Sequence, residues 1–408
     1  MPVEFKTIKD FLESQTHQMV ELERILNAIP ALAPENGGDG EWKKCMALEE
    51  FLIKNGITQL EHFDAEDSRV SDKKRPNLVA VIPGQNDDYC IWVMAHMDVV
   101  PAGELGLWKS DPFSIREENG ILYGRGVEDN QQGLVSAVFA ALAFVKLGIK
   151  PKHTIKLLFM ADEEVGSKYG MGYLVENHLS LFSKNDLILI PDGGDKEGKT
   201  IEVAEKNLLW LRFHTCGKQT HGSRPDEGNN ACLAASELML KINALEKYFN
   251  KEDKLFAPSY STFQPTMRLA NVSTINMIPG DDVSFCDCRI LPCYSLKEVL
   301  LKVDEVVKEV EKKYSVKIEY DTPQAVESPA TSTQSAVVKE LKKAIKDVHG
   351  IEAQCIGIGG GTVGAELRKK GFSCVVWSTM DETAHQPNEY CYIKNIVTDA
   401  QTIAYMAF

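Results

Sequence analysis

His96 and Asp98 stand two residues apart at the end of an apolar run, and Gly124-Arg125-Gly126-Val127-Glu128-Asp129 follows downstream. Residues two apart on a strand share a face. Asp98 is therefore placed to hold one ring nitrogen of His96 while the other binds a metal ion. Asp129 adds a carboxylate on a glycine-rich loop just ahead of an apolar helix. An isolated His-x-Asp recurs by accident and on its own reads more readily as the close of a strand. Recurrence downstream gives it weight. Glu163 and Glu164 follow the run 154–160, Asp192 follows 186–190, and His385 lies beyond 373–377.

His96, Asp129, Glu164, Asp192 and His385 together make two imidazoles and three carboxylates. If Asp129 bridges, each of two divalent ions receives a histidine, a share of the bridge and one further carboxylate, with a position open for water. Mixed nitrogen and oxygen donors suit zinc, and manganese or cobalt also fit. Two ions about 3.5–4 Å apart hold and acidify a water and polarise a carbonyl. Glu163, beside a ligand but itself free, is then the general base that passes the water's proton to the leaving amine. Its plainer reading is a solvated loop acid.

These residues need an α/β frame. The β-rich runs 78–82, 89–94, 154–160, 186–190 and 373–377 alternate with helical patterns, and in an open α/β sheet ligands collect at the carboxyl edge of the strands. Helices are expected over 5–29, over 42–55 with Gly56 as its stop, and over 134–147 with Gly148 as its stop. Between 205 and 320 the character changes. A strand (208–215), a helix (231–245), two strands (268–275 and 282–290), a helix (296–314) and a strand (316–320) form a βαββαβ unit, with 251–261 as a loop. This unit interrupts the larger domain, because the strand before His385 returns to the first sheet.

The composition is that of a folded soluble protein. A chain of 408 residues is long for one core at about 150 residues per domain. No apolar run approaches the roughly 20 residues of a membrane span, and the first 27 residues lack the order of a signal peptide. A net charge of −14 disfavours nucleic acid as a partner. The ten cysteines include no CxxC pair and fit reduced thiols in the cytoplasm. Cys286, Cys288 and Cys293 fall on a strand pattern and its exit, where core packing explains them better than a metal.

In order, AHMDVVP, GRGVEDNQQG, DEEVGS, PDGG, HGSRP, NMIPG, GGGT and HQPNEY resemble the M20 metallopeptidase family, which includes acetylornithine deacetylase, succinyl-diaminopimelate desuccinylase, carboxypeptidase G2 and the aminoacylases. The resemblance runs from about residue 78 to the C-terminus. It implies a two-domain α/β fold: a mixed-sheet, zinc-peptidase-like catalytic domain over 1–204 and 321–408, and an inserted ferredoxin-like lid and dimerisation domain over 205–320. It supports the five metal ligands, with Asp98 orienting His96 and Glu163 as base. It implies that His221 is the lid histidine that commonly reaches the partner subunit's site to steady an oxyanion. Asn276 and Arg289 match substrate-contacting positions, and an arginine grips a carboxylate in bidentate fashion. Gly360, Gly361 and Thr362 match a loop near the substrate carboxylate, where bare backbone approaches an anion.

Two departures stand out. Asn130-Gln131-Gln132 replaces a run that in relatives contains Lys and Gly, and Val363 stands where relatives often carry an acid. The expectation is a cytoplasmic homodimer, a di-metal hydrolase of an amide bond in an N-acyl amino acid or short peptide. A dipeptidase or carboxypeptidase is the nearest rival, and an inert metal- or peptide-binding relative is the rival of another class.

Overall fold

The four strands expected to carry metal-binding groups lie side by side and point the same way. The structure is a computed structural model and describes residues 3–408. His153–Met160, Asn86–His96, Leu187–Asp195 and Cys374–Thr379 form the parallel centre of an eight-stranded sheet. Leu60–His62 and Leu78–Ile82 extend it antiparallel on one side, and Thr200–Glu205 and Gln354–Ile358 extend it on the other. Apart from the exposed start of Asn86–His96 and the partly exposed end of Leu187–Asp195, the central strands are buried, as continuous apolar runs in a parallel sheet must be.

Helices cover this sheet. Gly133–Leu147 is apolar all round and buried through most of its length, and it packs on Ile393–Ala407. Met171–Asn177 and Gly364–Lys369 close a second core through Met171, Leu174, Val363 and Leu367 against Trp92, Ile188 and Val376. Val363 is thus a core residue, which accounts for an apolar side chain where an acid was expected. Gly133 is dictated by close approach: a Cβ there would lie 2.1 Å from the Pro191 carbonyl oxygen. Only a glycine lets this helix start directly against the strand that carries Asp192.

The chain divides into two compact units, Met1–Val203 with Thr331–Ile356 and Thr362–Phe408, and Ala204–Ala330 with Gly357–Gly361. The second contains one antiparallel four-stranded sheet, ordered Thr262–Arg268, Asp281–Ile290, Asn207–Cys216, Lys317–Val326. Its helices Ala231–Asn243 and Leu296–Tyr314 bury Leu238, Ile242, Val299, Val303 and Val307 against Leu209, Phe213, Cys286 and Cys288. The second helix starts at a capping box in which Ser295 and Glu298 each take the other's backbone N–H. The overall class is mixed α/β.

Several boundaries differ from expectation. The helix over 5–29 is two, Val3–Ser14 and Thr16–Asn27. The Ser14 and Thr16 hydroxyls donate to the Phe11 and Glu13 carbonyls, local bonds that compete with helix continuation. The strand expected at 268–275 lies at Thr262–Arg268 instead, and Leu269 and Ile275 are exposed beyond it. Pro265 is tolerated because the strand is at a sheet edge with a register shift between Pro265 and Met267. The last strand of the second unit runs on to Val326.

Candidate metal centre

All five expected ligands belong to the first unit, and four of them follow from strand ends at one edge of its sheet. His96 ends its own strand, Asp192 lies near the end of Leu187–Asp195, and the Glu163–Val165 turn follows Met160. His385 comes six residues after Thr379, in a left-handed conformation (φ 62°). Asp129 takes an extended conformation (φ −115°, ψ 92°) just before Gly133–Leu147.

The Asp129 carboxylate joins the two histidines. One oxygen lies 2.9 Å from His96 Nε2 and the other 3.1 Å from His385 Nε2. Asp192 Oδ1 is 3.6 Å from His96 Nε2, and Glu164 Oε2 is 3.0 Å from His385 Nε2. The set thus falls into two halves, His96 with Asp192 and His385 with Glu164, that share Asp129. His96, Asp129 and Glu164 present donor atoms all within 4.8 Å of one another. Glu164 Oε1 is buried with no hydrogen-bond partner, and such a carboxylate oxygen invites a cation.

The charges say the same. Hydrogen bonds to Asp129 and Glu164 push the His385 imidazole up to about 10. Burial opposes a charge on His96, but Asp192 and Asp129 outweigh it and hold the ring well above its usual range. Burial would raise Asp129 too, and bonds from His385 and His96 instead hold it below the usual carboxylate range. Both imidazoles favour a positive charge in this acidic surround, a role that divalent cations fill while displacing those protons.

Behind the candidate ligands, a layer of buried groups fixes their direction. His96 Nδ1 lies 3.0 Å from the Asp98 carbonyl oxygen and 3.4 Å from its carboxylate. That carboxylate accepts the N–H groups of Glu163 (3.1 Å) and Glu164 (3.0 Å). Asp98 therefore both orients one histidine and holds the Glu163-Glu164 turn. Arg75, fully buried, pairs with Glu41 and lies 3.0 Å from Asp162. Asp162, at φ 70°, turns the chain into Glu163. Burial raises the Glu163 carboxyl, against the charge of His96 and with that of Asp192, Glu164 and Asp129.

Three residues beyond the expected set share this work. Glu389 is buried, and its carboxylate accepts the N–H groups of Gly126, Glu128 and Asp129 and pairs with Arg125 at 2.6 Å. Glu128 accepts the Asp381 N–H at 2.7 Å and the Thr383 hydroxyl at 2.7 Å, tying down the loop that leads to His385. Asn130 donates to Asp192 Oδ1 at 2.5 Å. The other departures also have partners. Gln131 lies between Glu23 and Lys44, and Gln132 donates to the Thr379 carbonyl. Glu389→Ala strands three loop N–H groups and Arg125. We expect metal affinity to fall about 10- to 100-fold and stability by about 3–5 kcal/mol. Metal titration with thermal melts checks this, and unchanged affinity would show that Glu389 does not set the loop.

The remaining candidates divide between the units. His221 lies on a two-stranded ribbon, Thr220–His221 against Met277–Ile278, and Asn276 accepts the Gly222 N–H with its carbonyl. The Ser223 N–H donates to His221 Nδ1 at 3.2 Å, so the proton of a neutral ring sits on Nε2, ready to donate. The Arg289 guanidinium forks onto Asp287 at 2.7 and 2.9 Å and donates to the Gly359 carbonyl at 2.7 Å. Gly360 and Gly361 belong to that second unit, whereas Thr362 is in the first and accepts the Gly364 N–H.

The sequence over residues 92–408 matches the profile of peptidase family M20/M25/M40. The chain belongs to this family. It is 41% identical to an uncharacterised metallohydrolase of Methanococcus maripaludis, over 96% of this chain and 98% of that protein. It is 26% identical to a succinyl-diaminopimelate desuccinylase of Wolbachia pipientis, over 92% and 89%. Among solved structures it resembles the aminopeptidase PepT of Bacillus cereus, with a TM-score of 0.77 and 19% identity over 96% and 98% of the two chains. This member of the M20 family is a metallohydrolase of amide or peptide bonds. Among its described residues no helix is long and apolar enough to cross a membrane.

Proposed function

We propose that the chain hydrolyses the amide bond of an N-acyl amino acid or short peptide at a centre of two divalent ions, zinc being the best fit to the donors. The observation that carries this is the Asp129 carboxylate with one oxygen toward each histidine. His96 and Asp192 would hold one ion, and His385 and Glu164 the other. When bound, the ions acidify a water and polarise the scissile carbonyl. Glu163 takes the proton of the attacking water and returns it to the leaving amine. Asp98 keeps Glu163 and Glu164 facing different tasks by holding both backbone N–H groups. His221 donates through Nε2 to the oxygen that gains charge, an interaction worth about 2.7–4 kcal/mol of barrier. Arg289, Asn276, Gly360, Gly361 and Thr362 recognise the substrate, with Arg289 exchanging Asp287 for a substrate carboxylate. The ten free thiols support a cytoplasmic setting.

The test is metal removal followed by a substrate screen. Chelated protein should be inactive and regain full activity at two ions per chain, and turnover of N-acetyl, N-succinyl and dipeptide substrates should separate a deacylase from a dipeptidase. Full activity in metal-free protein would overturn the proposal.

The second unit further supports a homodimer. Its edge strand Thr262–Arg268 exposes Met267, and Leu233 and Leu240 are exposed on Ala231–Asn243. Open edges with apolar neighbours associate. If His221 serves the partner's site, mixing His221→Ala chains with Glu163→Ala chains restores activity to one site of each hybrid. A monomeric mass by light scattering, or no rescue under conditions where subunits exchange, would contradict this.

A further inference from the structure

Alternation along Asn207–Cys216 sends Leu209, Leu211, Phe213 and Thr215 to the helix-covered side of the second sheet. His214 and Cys216 therefore share the opposite face. Cys216 is in register with Asp281 on the neighbouring strand, and His214 with Glu319 on the other. His214 Nε2 lies 2.5 Å from Asp281 Oδ1 and 3.5 Å from Cys216 Sγ. An imidazole, a thiol and a carboxylate thus present donor atoms all within 4.8 Å of one another. We propose that His214, Cys216 and Asp281 form a further metal site, for a zinc-like divalent cation, at the end of this sheet.

The chemistry of the donors is specific. A tetrahedral zinc with bonds of roughly 2.0 Å to nitrogen and 2.3 Å to sulfur separates those two atoms by about 3.5 Å, the spacing already present. The closer Asp281 oxygen opens by rotation of an exposed side chain. Glu319, now paired with Lys317, stands on the same face as a fourth donor, with water as the alternative. Thiolate and imidazole together favour zinc or cobalt over magnesium or calcium. Partial burial and the charges of Asp281 and Glu319 raise the Cys216 thiol. On binding, the metal–sulfur bond replaces the S–H bond and the thiol proton goes to solvent.

The placement suggests what the ion does. Just past Cys216, the Gly217 N–H donates to the Gly280 carbonyl, and the two chains continue into the ribbon that carries His221 and Met277. An ion held by Cys216 and Asp281 staples the two strands at the root of that ribbon.

None of the donors at the Asp129 centre is sulfur, so a thiolate signal cannot come from that centre and does not depend on the proposed reaction. Metal-free full-length protein titrated with Co2+ should develop the near-ultraviolet thiolate-to-cobalt charge-transfer band, saturating at one equivalent of band-forming ion and discharged by Zn2+. Cys216→Ser should abolish the band, and His214→Gln should weaken the affinity behind it at least tenfold. Both side chains are only partly buried, and circular dichroism checks that each variant keeps the fold. Should one misfold, Asp281→Asn, also expected to weaken the affinity, replaces it. No band in the wild-type chain, or a band unchanged in Cys216→Ser, would overturn the site.

Discussion

Glu163→Gln lowers turnover by about 10²- to 10⁴-fold while the protein keeps its full metal complement. Glu163 and Glu164 are adjacent, and both are held by their backbone N–H groups on Asp98. Only Glu164 turns its carboxylate to His385, at 3.0 Å. The amide of glutamine has nearly the shape of the acid but cannot accept the water's proton, so binding stays and chemistry fails. Substrate KM should move little, because the lost interaction belongs to the transition state. Metal analysis beside steady-state kinetics checks this. Loss of an ion together with the rate would mean that Glu163 is a ligand and that the two glutamates' roles are reversed.

Asp129→Ala has a larger effect, because it disables both halves at once. The two oxygens of one carboxylate meet His96 and His385, and without them each ion retains one histidine and one further acid. We expect neither ion to be held at concentrations that saturate the wild-type chain, and activity to fall below detection. Asp192→Ala and Glu164→Ala each remove a ligand from one half alone, and each should spare more metal than Asp129→Ala does. Equal metal loss in all three would show that the halves are not joined through Asp129.

The gathering of the candidate ligands at one edge is legible in the sequence for a physical reason. Four of the five follow an apolar run, and parallel strands deliver their carboxyl ends to one edge, whereas Asp129 precedes the apolar helix Gly133–Leu147. His96, Asp192 and the Glu163-Glu164 turn are thus gathered by the strand pattern alone. The second unit's strand and helix order was legible through period-two and period-3.6 patterns, since one face of each element is buried there. The strand at Thr262–Arg268 was not, because an exposed edge strand holding a proline lacks alternation. Glu389 also escaped, although it stands four residues beyond His385 in a quoted motif. Its partners at Gly126, Glu128 and Asp129 are more than 250 residues distant, and nothing local marks a glutamate as buried. The roles of Asn130 and Val363 were hidden likewise: one supports Asp192, the other fills the core, and both depend on neighbours brought in by the fold.

Whether Asp129 joins two ions is measured most directly by an anomalous difference map from crystals of the zinc-loaded protein, collected at the zinc edge. Two peaks are expected on either side of the Asp129 carboxylate, one also met by His96 and Asp192 and the other by His385 and Glu164. A single peak, or a pair that Asp129 does not touch, would contradict a bridging Asp129.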